Sequence, residues 1–102
     1  MYLVQLLLPL YDNSGHRFEN PRFVRVMDEL TDRYGGVTAY TRSPAEGAWR
    51  EGGGAVDKDE VVMFEVMVDH LDREWWLRYR VELEQRFAQD ELVVRATAME
   101  RL

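Results

Sequence analysis

Cysteine is absent from this 102-residue chain, and that one absence removes disulfides, thiolate metal sites and cysteine nucleophiles together. Stability then rests on the apolar core alone. Isoleucine is missing too, and Lys58 is the single lysine beside many arginines, a composition left by a GC-rich bacterial genome. Bases are scarce relative to acids: 13 Lys and Arg against 19 Asp and Glu give a formal charge of -6. A nucleic-acid partner is therefore not expected, because neutralising phosphates needs a basic stripe. Long apolar runs are missing as well. The stretch Met1 to Leu10 is too short to span a bilayer and lacks the basic flank and small-residue cleavage site of a signal peptide, so a cytoplasmic chain with no membrane partner is expected. No repeat, low-complexity tract or linker breaks the pattern, and residues 1–102 read as one domain.

What is present is an ordered series of patterns. Leu3 to Leu8 is an apolar run interrupted only by Gln5, as in a strand covered on both faces and central in its sheet. After the turn signal Asp12-Asn13-Ser14-Gly15, Asn20-Pro21 predicts a helix start with Asn20 as cap. The stripe Phe23, Met27, Leu30, Tyr34 carries that helix to Gly35-Gly36. Val37 to Arg42 suits an edge strand, and Glu60 to Asp69 an apolar strand with Glu65 as its polar intruder. Asp69 or Asp72 caps a second helix, read from Asp72 to Ala88, with Trp76, Tyr79, Leu83 and Phe87 on one face. Leu92 to Met99 is the last strand. The order β-α-β-β-α-β predicts an α+β sandwich of the ferredoxin-like type, a four-stranded antiparallel sheet of order 4-1-3-2 with both helices on one face.

Alternation along the strands divides them between two faces. Val4, Leu6, Leu8, Val62, Phe64, Val66, Val68, Leu92, Val94, Ala96 and Ala98 are expected against the helices. The other face mixes Leu3, Leu7, Val61, Met63, Met67, Val93 and Met99 with Gln5, Thr38, Tyr40, Arg42, Glu65, Arg95 and Thr97. Opposing the apolar centres of the strands puts Gln5 between Glu65 and Arg95, with Tyr40 and Arg42 at one end. Two function classes use such a face. In a structural or interaction domain the polar groups satisfy one another inside a homodimer interface, which the apolar members of the face favour, since together they make a patch larger than monomers usually leave bare. In the alternative, Arg42 and Arg95 hold an anionic or carbonyl-bearing small molecule while Glu65 serves as acid or base. No specific catalytic residue is indicated under either.

Other candidates carry less chemistry. His16 and His70 lie far apart in the pattern, so no metal site is expected. Trp75 and Trp76 cannot both face the core; Trp76 follows the stripe, which leaves Trp75 as a candidate partner contact. Trp49-Arg50, ahead of Gly52-Gly53-Gly54, combines residue types that dominate binding hot spots and is a second candidate contact. The three glycines lack the spacing and following lysine of a phosphate loop, and no cofactor is expected.

Gly47-Ala48-Trp49-Arg50 before the third strand, and Leu83-Glu84-Gln85-Arg86-Phe87-Ala88-Gln89-Asp90 at the end of the second helix, resemble a family of small bacterial domains of unknown function. Trp49, Arg86, Phe87 and Gln89 are the matching positions in a likeness spanning most of residues 35 to 96. The resemblance implies a ferredoxin-like fold and brings no activity. More broadly the pattern is similar to dimeric α/β-barrel proteins, in which two sheets pack open face to open face. That group includes cofactor-free monooxygenases and isomerases, but it implies no catalytic residue here.

Overall fold

A computed structural model describes residues 1–42 and 60–102. Its elements are β1 (Tyr2–Pro9), α1 (Asn20–Tyr34), β2 (Thr38–Arg42), β3 (Val61–Val68), α2 (Arg73–Arg86) and β4 (Val93–Ala98). The strands form one antiparallel sheet in the order β2-β3-β1-β4, the ferredoxin-like arrangement. No described helix is long and apolar enough to cross a membrane.

Alternation decides what each strand buries. Val4, Leu6 and Leu8 of β1 and Phe64, Val66 and Val68 of β3 are buried under the helices. Their intervening neighbours Leu3, Gln5 and Leu7 are only half-buried. Central position in the sheet thus does not bring burial on both faces: β1 has one covered side. Phe18, Phe23 and Phe87 close one end of the core, with Phe87 5.2 Å from Phe18 and 5.4 Å from Phe23 between ring centroids.

The helices deviate from expectation in small, explicable ways. α1 begins at Asn20 with Glu19 as its cap residue, so Asn20 lies inside the helix and no side chain caps it. Its buried residues are Phe23, Val26 and Leu30, while Met27 is exposed; the two sets cover equal arcs of the helix, and the roll of α1 on the sheet selects Val26. Gly35 ends it at φ 82°, its N–H reaching the Thr31 carbonyl at 2.7 Å. In α2, Asp72 is the cap, its carboxylate accepting from the Trp75 N–H at 3.1 Å. Trp76, Tyr79 and Leu83 form the buried stripe, continued by Phe87 past the helix end. The chain then turns through Ala88 at φ 50°, with Ala88 N–H to the Gln85 carbonyl and Gln89 N–H to that of Glu84, a Schellman closure made without glycine.

Two burial expectations are corrected. Ala96 and Ala98 of β4, expected in the core, are exposed, since β4 is an edge strand and their methyl groups are too small to reach the helix layer. Met63 lies on the uncovered face as expected, opposite Leu7 and Tyr40, yet is 1% exposed within the chain itself, with the Tyr40 hydroxyl 3.1 Å from its sulfur.

One network locks the helices together. Arg86 donates to both oxygens of Glu29, at 2.5 and 2.8 Å, and pairs with Glu82 at 3.0 Å. The Tyr79 hydroxyl donates to Glu29 at 3.0 Å, and Arg22 donates to the Arg86 carbonyl. The bidentate hydrogen bonds from Arg86 hold the Glu29 carboxyl below its ordinary range against the opposing effect of burial. Burial, reinforced by Glu29, pushes the Tyr79 hydroxyl well above its own.

Candidate functional site

The sheet face away from the helices carries the residues that sequence reasoning selected. β1 pairs with β3 and β4 in registers that set Gln5 opposite both Glu65 and Arg95, as opposition of the apolar centres predicts. The side-chain amide of Gln5 then bridges the two: its nitrogen donates to Glu65 at 2.6 Å, and its oxygen accepts from Arg95 Nε at 2.8 Å. Every group of the amide faces a complementary partner, so the amide orientation follows from the chemistry of its neighbours. Glu65 and Arg95 share no direct ion pair and are joined only through Gln5.

The register of β2 sets neither Tyr40 nor Arg42 opposite this row. Thr38, to which the sequence assigned a face but no role, is the β2 residue opposite Glu65. Tyr40 lies opposite Met63 and Arg42 opposite Val61, which places the Arg42 backbone four residues from Thr38, about 13 Å along the strand. The register of β2 depends on the connection to β3, and residue patterns did not define it. Around the row lie Leu3, Leu7, Val61, Met67 and Val93. The last two are 51% and 49% exposed.

The partner-contact candidates divide. Trp49 and Arg50 lie outside the described residues. Trp75 is half-buried in an aromatic cluster, stacked on Tyr79 at 4.8 Å and edge-on to Tyr34 at 5.6 Å, with the Arg33 guanidinium 4.3 Å above its ring. His16 belongs to a turn in which Asp12 accepts from the Ser14 and His16 N–H groups, each at 2.9 Å, and His70 is exposed. Among the described residues no group of three or more His, Asp or Glu is placed to hold a metal.

A cleft of about 840 Å³ opens at one end of the uncovered face. Leu7, Pro9, Val61 and Val93 form its apolar side, and Tyr11, Asp12, Asn13, Glu60, Gln89 and Glu91 its polar rim. Asn13 and Gln89 brace that rim, Gln89 donating to Asn13 at 3.3 Å and to the Phe87 carbonyl at 3.1 Å. Gln5, Tyr40, Glu65 and Arg95 do not line it. Sequence reasoning missed the cleft because it forms only when the loop after β1 folds against the end of α2. The turn signal at Asp12 marked the loop but not its destination.

No family model matches the chain, and no curated protein matches it. The fold does have solved counterparts. A phage SAM lyase in complex with S-methyl-5′-thioadenosine is 15% identical, with a TM-score of 0.55 over 94% of this chain and 79% of that one. A phage SAM lyase in the apo state is 14% identical, with a TM-score of 0.58 over 94% of this chain and 78% of that one. At such identity the likeness shows a shared fold and nothing of chemistry.

Proposed function

We propose that this chain is a homodimeric structural or interaction domain of the bacterial cytoplasm that associates through its uncovered sheet face. The observation that carries the reading is the closed row Glu65–Gln5–Arg95, whose side chains are hydrogen-bonded to one another in the single chain. The hydrogen bonds within the row lower the cost of burying its polar groups, and the terminal N–H donors of Arg95 are left for acceptors on the partner. The apolar surround of Leu3, Leu7, Val61, Met67 and Val93 supplies the area that drives association. A two-fold axis would set the same patch against itself. Light scattering at micromolar concentration tests this: twice the chain mass of 12.1 kDa is expected, with Met67→Glu returning it to the single mass while leaving the fold intact. A wild-type chain that elutes as a monomer overturns the proposal.

A second reading, a small-molecule-binding protein or cofactor-free enzyme, is favoured by the 840 Å³ cleft, whose volume lies in the range of ligand sites. The carboxylates of Asp12, Glu60 and Glu91 on its rim suit a neutral polar or cationic compound better than the anion expected from Arg42 and Arg95. S-methyl-5′-thioadenosine, the molecule in the lyase complex, is the natural first probe. Saturable binding in calorimetry that Tyr11→Ala weakens would support this reading, and no detectable heat at millimolar probe would remove its main support.

A further inference from the structure

On the other side of the sheet, a second and smaller opening lies between α2 and the edge strand β4. It measures about 220 Å³ and is lined by Val4, Leu71, Arg73, Trp76, Leu77, Arg80, Val94, Arg95 and Ala96. The opening exists because Ala96 stands where β1 and β3 carry larger apolar residues, so α2 overhangs the strand without filling the space beneath it. Arg73, Leu77 and Arg80 follow one another along α2 at helical spacing and form the overhang. Leu77 is 56% exposed, which leaves an apolar entrance.

The chemistry of the lining is one-sided. In a chain of net charge -6, two arginine side chains of α2, Arg73 and Arg80, and no carboxylate line this groove, the third arginine at its edge, Arg95, turning its guanidinium to Gln5 on the opposite face. Arg25, Arg33, Arg78 and Arg86 each pair with an acid, whereas Arg73 and Arg80 pair with none among the described residues. Two N–H donors here, Arg80 Nε and Trp76 Nε1, are also buried without an acceptor among the described residues. A buried donor without a partner is uncommon in a folded protein, and two on neighbouring turns of one helix call for an acceptor from outside the chain.

We propose that the α2–β4 groove binds a small carboxylate with an apolar tail, the oxygens accepting from Arg80 and Trp76 and the tail lying against Val4, Leu71, Leu77, Val94 and Ala96. A carboxylate supplies acceptors without donors, which is what two orphan N–H groups beside an unpaired guanidinium require. The volume, roughly seven waters at about 30 Å³ each, holds a compact tail and excludes a nucleotide. The site is separate from the uncovered face and does not depend on the assembly proposed for it.

The experiment is an NMR titration of the tryptophan indole N–H resonances with octanoate, using 1-octanol and inorganic phosphate as comparison probes and Trp76→Phe for assignment. Octanoate is expected to shift the Trp76 indole saturably, with octanol and phosphate far weaker. Arg80→Met keeps the apolar stem and removes the guanidinium, so it should weaken octanoate by about tenfold or more. Arg73→Met, at an exposed helix start, gives a smaller loss and covers the case in which the Arg80 variant fails to fold. Equal binding of octanol and octanoate, or octanoate affinity unchanged in the folded arginine variants, overturns the proposal. So does an unmoved Trp76 indole, or one that shifts with protein concentration alone, which would mark the groove as a contact between copies.

Discussion

Two polar networks among the described residues each join a glutamate to an arginine and differ in what surrounds them. On the helix layer, Glu29 and Arg86 meet in a bidentate pair reinforced by Tyr79 and Glu82, and the Arg86 side chain is 11% exposed. On the uncovered sheet face, Glu65 and Arg95 are kept a strand apart and joined through Gln5, with Arg95 exposed. The first network loses solvent on folding, and the mutual hydrogen bonds shift its titrating groups. The second keeps its water until something covers it. An ion pair stabilises in proportion to how far its environment is removed from water and how well its geometry is satisfied, so the helix clamp should matter to folding and the sheet row to association.

The largest effect that would break this contrast is expected from Arg86→Met, which leaves Glu29 half-buried with the Tyr79 hydroxyl and the more distant, exposed Arg25. A loss of roughly 2–3 kcal/mol in urea unfolding is expected, toward the low end for a broken buried pair because Glu29 keeps some solvent. A loss no greater than that of Gln5→Ala would show the two networks to be equivalent.

Acid titration sharpens the contrast next. Glu29 is held below its ordinary value of 4.5 in the folded chain, so its contribution to stability is present above that value and disappears as the pH falls through the depressed folded value. Glu29→Gln should therefore flatten the acid limb of stability against pH below about 4.5, while wild type and variant run parallel at neutral pH. An unchanged acid limb would mean that the clamp is not formed in solution.

Gln5→Ala is expected to cost the isolated chain about 1 kcal/mol or less, since its partners on the sheet face can turn to water. Its effect on association should be greater, because Glu65 and Arg95 would then enter the interface without their bridge. A dimer dissociation constant unaffected by Gln5→Ala would separate the row from the assembly surface.

The smallest effect concerns the end of α2, beside the clamp. Ala88 occupies φ 50°, a conformation natural to glycine, and the equivalent turn of α1 uses Gly35. Ala88→Gly should stabilise the chain by roughly 0.5–1 kcal/mol, seen as a small rise in melting temperature. A lower melting temperature would show that flexibility in the unfolded chain outweighs the relief of strain.

Residue spacing by itself determined the element order, the topology and the meeting of Gln5 with Glu65 and Arg95. Strand alternation and the centring of apolar runs are local properties, and they leave little choice of register for strands as apolar as β1 and β3. Tertiary structure alone decided the rest. Which of Val26 and Met27 faces the core depends on how α1 rolls against the sheet, and the Glu29–Arg86 clamp requires two helices to meet across 57 residues of sequence. Whether Thr38 or Arg42 stands beside Glu65 depends on the length of a hairpin connection. Ala96 left a groove and not a core contact because α2 stands over β4 at a height that a methyl group does not fill. Each outcome depends on the relative placement of whole elements, which packing of the completed core sets and no periodicity along a single element encodes.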